Sequence, residues 1–280
     1  MEWEGYQISF RLLSPIHIGW RKSGNLQQTR PYVTGRAMWG ALTARLTREA
    51  GKATYEEVGR WVDERLAFTY LYPSTKADQV TLWPWEEGWD EFAWTYLGSY
   101  VSTALEDGRK GEDGSLHETE FISSRTRDGK PVYLLGYIFQ REDWNELNLD
   151  LDTTMNKLQI GGERGYGWGR LLLQSRYDEK PIKRSDLCFQ DFEFDIDTGR
   201  PILKARPGDV RLLAHTLVDR NSASGEIEPL LGRITDSKGR FGQDHSAVDI
   251  CLKPGSKVAP STMFSIKPKG LWKEEPVSRL

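Results

Sequence analysis

The chain has 280 residues, and its 38 Lys and Arg against 41 Asp and Glu give a formal net charge of −3, which excludes a globally basic nucleic-acid coat but not a local basic groove. Two cysteines, Cys188 and Cys251, exclude a disulfide framework and a four-cysteine metal site. No apolar run approaches the ~20 residues that span a bilayer, and Met1–Glu4 lacks the basic-then-apolar pattern of a secretory signal, so the expectation is a soluble cytoplasmic protein without membrane, metal or cofactor.

Taken in chain order, Tyr6, Ile8, Phe10 and Leu12 alternate with Gln7, Ser9 and Arg11, which predicts a half-buried strand over 5–13. Ser14-Pro15 interrupts it, and Ile16-His17-Ile18 resumes before Gly19. Residues 20–33 read as a polar loop. Thr34 is a helix N-cap, followed by Met38, Ala41, Leu42 and Leu46 at helical spacing up to Gly51. A second helix is expected over 54–67, with Tyr55, Val58, Val62 and Leu66 on its apolar side. The stretch 68–96 is aromatic and irregular, and the 11 Trp of the chain imply either a thick aromatic core or exposed stacking surfaces. Residues 106–115 read as an exposed loop. Strands over 119–126 and 131–139 flank Asp128-Gly129, a dipeptide suited to a tight hairpin. Leu147, Leu149, Leu151, Met155 and Leu158 fit either a strand and a helix or one poor helix. Beyond a boundary near 176 the chain turns strand-rich: Phe189, Phe192, Phe194 and Ile196 mark one strand, 208–217 a weak helix, 219–247 a loop, and Val248–Leu252 and Met263–Ile266 late strands.

Five glycines fall between residues 161 and 169, in Gly161-Gly162-Glu163-Arg164-Gly165-Tyr166-Gly167-Trp168-Gly169-Arg170, ahead of an apolar strand. That many glycines cost conformational entropy, so they point to close backbone approach. Exposed N–H groups in such a loop suit phosphate oxygens, Arg164 and Arg170 add charge, and Tyr166 and Trp168 add stacking faces. The phosphate-loop and dinucleotide patterns are both missing, because Arg170 stands where each needs another residue. A second constellation surrounds the first helix start, where Arg21, Lys22, Arg30 and Arg36 converge in sequence on a helix N-terminus. His17 by itself reads more readily as a hydrogen-bonded structural histidine than as a catalyst.

Taken together, a strand ending Ser14-Pro15-Ile16-His17-Ile18-Gly19, a helix opened by Gly35-Arg36-Ala37-Met38-Trp39-Gly40-Ala41-Leu42 and the late glycine loop resemble the RAMP superfamily of CRISPR proteins. The likeness covers about residues 5–173. Phe121–Val132 is similar to a hairpin that lies against guide RNA in that family, with Ser124 in place of the common acidic residue; Arg125, Arg127 and Lys130 would sit on it. The resemblance implies an α+β protein: a ferredoxin-like (RNA-recognition-like) RAMP domain over 1–175, then a smaller β-rich domain over 176–280, which in some members is a degenerate ferredoxin-like unit. Family members that cut target RNA use an Asp in the loop after the first strand, and none stands between Gly19 and Arg36. The stretch Phe68-Thr69-Tyr70-Leu71-Tyr72-Pro73 is similar to that of the subunit capping the 5′ handle of guide RNA in type III complexes.

The resulting expectation is a non-catalytic, guide-RNA-binding subunit in a hetero-oligomer with other effector subunits. Gly161, Gly162, Arg164, Gly165, Tyr166, Gly167, Trp168, Gly169 and Arg170 would contact RNA, as would His17, Arg21, Lys22, Arg30, Arg36 and the Arg125–Lys130 hairpin. Single strands are held in this way by cations on phosphates and by stacked bases. Alternatives within the family are a backbone subunit or a repeat-processing ribonuclease using His17. A different class, a carbohydrate-binding or carbohydrate-active protein, is suggested by Glu86, Glu87, Asp90 and Glu91 among the tryptophans of 83–94; a solvated acidic loop explains them as well. His215 with Asp219, and Asp244-His245, have no partner motif for a metal. No Gly-x-Ser-x-Gly occurs.

Overall fold

A computed structural model describes residues 3–51, 53–82, 88–105, 110–147, 150–176, 181–182, 186–195, 199–219, 222–235, 241–245 and 248–276. The chain opens with β1 (Trp3–Leu12), β2 (Gly19–Ser23), β3 (Leu26–Thr29), α1 (Gly35–Ala50) and α2 (Tyr55–Arg65). There follow β4 (Leu66–Phe68), β5 (Tyr72–Ser74), α3 (Trp89–Tyr96), β6 (Leu97–Ser102), β7 (His117–Ile122), β8 (Tyr133–Arg141), α4 (Leu151–Met155) and β9 (Leu171–Arg176). After 176 come short strands: β10 (Leu187–Cys188), β11 (Phe192–Asp195), β12 (Ile202–Ala205), β13 (Val210–Arg211), β14 (Thr216–Leu217), β15 (Ala223–Ser224), β16 (Ile227–Leu230) and β17 (Arg233–Thr235). The last are β18 (Phe241–His245), β19 (Asp249–Leu252), β20 (Lys257–Val258), β21 (Met263–Ile266) and β22 (Trp272–Glu275). The protein is thus mixed α+β, mostly sheet with few helices.

Local chemistry sets the helix ends. Thr34 Oγ1 accepts from the Ala37 N–H at 3.3 Å, and Gly51 closes α1 in the left-handed region at φ 67°. Thr54 and Glu57 cap each other's backbone N–H groups at the start of α2, at 2.8 and 3.2 Å.

In the first sheet β1 is central. It pairs antiparallel with β8 on one side and β9 on the other, and β4 and β5 both pair with the far edge of β8. Helices α1 and α2 connect β1 to β4, and α4 lies between β8 and β9, so the unit reads strand–helix–strand–strand–helix–strand. A second sheet, β2-β3-β7-β6, is assembled from the two connections flanking α1, α2 and the short strands. Most of the later strands form an eight-stranded sheet.

The first sheet separates two cores, and its side chains alternate between them as a pleat requires. Ile8, Phe10, Leu66, Phe68, Leu134 and Ile138 pack with Met38, Leu42, Val58, Val62 and Met155 of the helices. Ala67, Tyr70, Tyr72, Tyr137 and Phe139 point the other way, against Phe189, Phe194, Phe264 and Trp272 of the strand-rich region. The tryptophan excess is split: Trp3 and Trp272 are core, while Trp89 and Trp94 are exposed.

Several sequence expectations are corrected. Residues 20–33 contain the β2–β3 hairpin, turning at Gly24 with φ 58°. The turn at Asp128-Gly129 exists, with Gly129 at φ 84°, but only one bridge, Arg125 to Pro131, joins its arms, and β7 and β8 then enter different sheets. The 208–217 segment forms β13 and β14 rather than a helix, and 219–247 carries β15, β16, β17 and β18 rather than a plain loop. The apolar run at 147–158 resolves into a 3-10 turn at Glu142–Leu147 and α4. Trp83, Trp85, Glu86, Glu87, Leu149, Ile196 and residues 106–109 lie outside the described residues.

Candidate nucleic-acid interface

The two sequence motifs meet in space, joined mainly through the main chain. The Gly162 N–H donates to the His17 carbonyl at 2.8 Å and the Gly169 N–H to the Pro15 carbonyl at 2.7 Å. The Arg170 N–H donates to Ser14 Oγ at 2.9 Å, and the Leu13 N–H donates back to the Arg170 carbonyl at 2.9 Å. Two of the glycines are explained by this self-packing. A Cβ on Gly161 would lie 2.3 Å from the His17 carbonyl oxygen, and one on Gly169 would lie 1.9 Å from that of Ile160. Both positions have positive φ, 89° and 79°.

The outward part of the loop is a 3-10 turn at Arg164–Tyr166, entered through Glu163 at φ 54° and left through Gly167 at φ 83°. Gln159 Nε2 donates to the Arg164 carbonyl at 3.0 Å and the Trp168 carbonyl at 2.8 Å, which braces the turn from inside. Arg164, Gly165, Gly167 and Arg170 are exposed, and Tyr166 is 84% exposed. A Cβ on Gly165 or Gly167 would meet nothing within 4 Å. Trp168 turns inward and packs edge-on against Phe121 of β7, with centroids 5.0 Å apart.

His17 is 7% exposed. Its Nδ1 lies 2.7 Å from the Glu120 carbonyl, so that nitrogen carries the proton and donates. Burial pushes the Glu120 carboxyl up, against the opposing pull of the Thr29 N–H and His17.

The cations grouped by sequence at the first helix are not one group. Arg21 and Lys22 are exposed on β2, with the Arg21 guanidinium 4.1 Å over the Trp20 ring and its Nε donating to Gln28 at 2.7 Å. Arg30 is 7% exposed and pairs with Glu228 at 2.5 Å. Arg36 is half-buried, and a Cβ on Gly232 would fall 1.8 Å from its Cζ. The start of α1 is occupied by the chain itself: Gly35 meets Gly270 so closely that a Cβ would sit 2.6 Å from its Cα. On the hairpin, Arg125 donates to the Gly129 carbonyl at 2.9 Å, Arg127 stacks 3.9 Å over Trp94, and Lys130 pairs with Asp128 at 2.7 Å.

Beneath Arg30 lies a buried polar network that sequence reasoning missed. Glu228 accepts from Arg30, from Trp20 Nε1 at 3.1 Å and from His215 Nε2 at 3.2 Å. The Tyr70 hydroxyl donates to His215 Nδ1 at 2.7 Å. Burial alone would raise the Glu228 carboxyl, but the hydrogen bonds from His215 and Arg30 outweigh it and hold the group at about 2. Burial lowers the His215 imidazole, only partly offset by Glu228. Trp20 and Glu228 stand 208 residues apart, so no local pattern announces the pair.

Among the described residues no group of three or more His, Cys, Asp and Glu is placed to hold a metal ion, and no helix is long and apolar enough to cross a membrane.

No family model matches the chain, and no curated protein matches it. Among solved structures, a chain of the type III-B Cmr-beta complex bound to cognate target RNA and AMPPnP (state 1) aligns with TM-score 0.53 at 10% identity, over 96% of this chain and 99% of that one. A chain of Cmr-beta bound to cognate target RNA gives TM-score 0.42 over 60% of this chain and 96% of that one, and one of the apo complex 0.41 over 62% and 98%, each at 10% identity. The full-length alignment is a likeness of fold: this chain shares its architecture with a component of a type III CRISPR effector.

Proposed function

We propose that this protein is a non-catalytic subunit of a type III CRISPR effector that holds guide RNA, with its first 175 residues forming a ferredoxin-like RAMP domain. Support for the domain comes from the antiparallel order β9-β1-β8-β4 with helices in both crossovers, and from the full-length fold likeness to a chain of an RNA-bound complex. The observation that carries the functional reading is the glycine loop. Its base is bolted to the end of β1 by main-chain hydrogen bonds, while Arg164, Gly165, Tyr166 and Arg170 face solvent. A rigid turn presenting two guanidiniums, a phenol ring and open backbone suits phosphates and a stacked base. Arg21 and Lys22, exposed on β2, and Arg125 and Arg127 on the hairpin are the further RNA contacts of this reading. A holding rather than cutting role is supported by His17, whose ring is sealed under Gly162 and spends Nδ1 on a carbonyl.

The test is retention of single-stranded repeat-derived RNA by the full chain across a salt series. Arg164→Ala with Arg170→Ala is expected to weaken retention about tenfold or more, and to lower the salt slope by roughly 1.4, at ~0.7 per phosphate contact. A folded double variant with unchanged retention and slope overturns the loop assignment. Repeat RNA incubated with the protein, with or without EDTA, is expected to stay intact; cleavage would overturn the non-catalytic role.

A further inference from the structure

Within the glycine loop, four residues have positive φ: Gly161, Glu163, Gly167 and Gly169. Three are glycine, for which that region carries no steric penalty. The fourth is a glutamate, held at φ 54° and ψ 23° at the entrance to the 3-10 turn. We infer that the Glu163 carboxylate reads a guanine base in the RNA that this loop holds, accepting from the base N1–H and from its N2 amino group. The inference rests on the RNA-holding reading and adds to it the identity of one base.

A side chain with a Cβ is strained in the left-handed region, and it persists there only where its surroundings hold it. The surroundings here hold the main chain. The Glu163 carbonyl accepts from the Tyr166 N–H at 3.0 Å and from the Trp168 N–H at 3.4 Å, and Gln159 braces the next carbonyl, that of Arg164, at 3.0 Å. They make no use of the side chain. The half-buried Glu163 carboxylate has neither hydrogen bond nor ion pair among the described residues, although Arg164 and Arg170 belong to the same loop. Glu49, Asp128 and Glu228, by contrast, are paired with Arg45, Lys130 and Arg30.

Electrostatics point the same way. A carboxylate among the cations of a loop that binds phosphates alone only weakens it, by cancelling part of their charge. What a carboxylate can bind beside a nucleic-acid strand is an N–H donor on a base edge. Guanine presents adjacent donors, N1–H and the N2 amino group, which the carboxylate oxygens accept as a parallel pair. Adenine and cytosine place a bare ring nitrogen beside their amino group, and uracil flanks its N3–H with carbonyls, so the carboxylate disfavours all three. Tyr166 supplies the stacking face. It is 84% exposed, and its ring has no aromatic or cationic partner among the described residues. Its N–H bond to the Glu163 carbonyl makes the two residues the ends of one tight turn, so the stacking ring and the acceptor are presented together.

The experiment measures, by fluorescence anisotropy, binding of short oligouridylates to the full chain freed of nucleic acid by high salt. One internal uridine is replaced by guanosine, 7-deazaguanosine, inosine, adenosine or cytidine. Guanosine and 7-deazaguanosine are expected to bind about tenfold tighter than adenosine or cytidine. Inosine lacks the N2 amino group and is expected to fall between. Glu163→Gln and Glu163→Gly are expected to erase the guanosine preference, read as a ratio of affinities within each variant. Glycine suits the backbone at this position, so Glu163→Gly keeps the test meaningful if the glutamine variant perturbs the loop. A guanosine preference unchanged in both variants overturns the inference. So does a preference that 7-deazaguanosine does not share, because the N7 edge is then what the protein reads. Arg164→Ala with Arg170→Ala separates the two readings. Oligouridylate binding that falls in that variant, with no dependence on the base in the wild type, leaves the RNA-holding reading standing and overturns the guanine inference. Full retention in that variant, with no preference that depends on Glu163, overturns both.

Discussion

Gly165 and Gly169 lie in one loop and answer to different demands. Gly169 must be glycine for the protein's own sake, since a Cβ would lie 1.9 Å from the Ile160 carbonyl oxygen at a φ of 79°. Gly165 has open space around it and an ordinary φ. Gly169→Ala is therefore expected to cost about 2–4 kcal/mol, and Gly165→Ala to stay within about 0.5 kcal/mol, as read by urea unfolding. Equal effects would remove the distinction between a structural and a presenting glycine. The network at Glu228 gives a pH signature. His215 has a folded pKa lowered from 6.5, so the unfolded chain takes up that proton first and stability declines as pH falls below about 6.5. Glu228 has a folded value near 2 against an ordinary 4.5, so its contribution is complete above 4.5 and fades as pH drops toward 2. Both losses run toward acid. Asp63, which burial raises to about 6, gains stability toward acid and opposes the His215 loss, so the reading is differential: the wild-type urea midpoint is expected to fall more steeply below pH 4.5 than that of Glu228→Gln.

Elements were legible in the sequence where local chemistry sets them. Thr34 and Gly51 bound α1, the Thr54–Glu57 reciprocal cap starts α2, and alternation marks β1. The β2–β3 hairpin was not legible, because Arg21, Lys22, Gln27 and Gln28 place polar side chains on both faces and erase the period. Segment 208–217 failed for the opposite reason: Leu212, Leu213, Ala214 and His215 are all buried, and a run buried on every side has no period either. In the site, the glycine loop and the β1 end could be found because glycine leaves a trace in sequence, whereas Trp20, Arg30, His215 and Glu228 come together only through long-range pairing. The contact of Gly35 with Gly270 belongs to this scale. It docks the Pro268–Gly270 turn onto α1, with the Lys269 ammonium 4.7 Å from the Trp39 ring. Gly35→Val is expected to push that turn away and expose it to limited proteolysis near Lys267 and Lys269, while Thr34→Ala at the same helix end costs only about 1 kcal/mol and leaves it protected.

At the scale of the molecule, one sheet serves two cores, with helices on one face and the strand-rich half on the other. The aromatic residues on the second face, Tyr70, Tyr72, Tyr137 and Phe139 among them, each bury on the order of 150–250 Å² in such an environment, and their cover comes from residues 188–272. A fragment ending at 176 is therefore expected to bind a hydrophobic dye and self-associate, where the full chain does neither. A monomeric, dye-silent fragment that unfolds cooperatively would contradict the shared-core account. The same arrangement sets a schedule during synthesis. Phe139 leaves the ribosome well before Trp272, the residue that closes the second core. At roughly 5–20 residues per second the intervening stretch takes on the order of ten seconds. For that interval the nascent chain carries a naked aromatic face, which makes its yield in the cell a matter of chaperone supply and translation speed as much as of final stability.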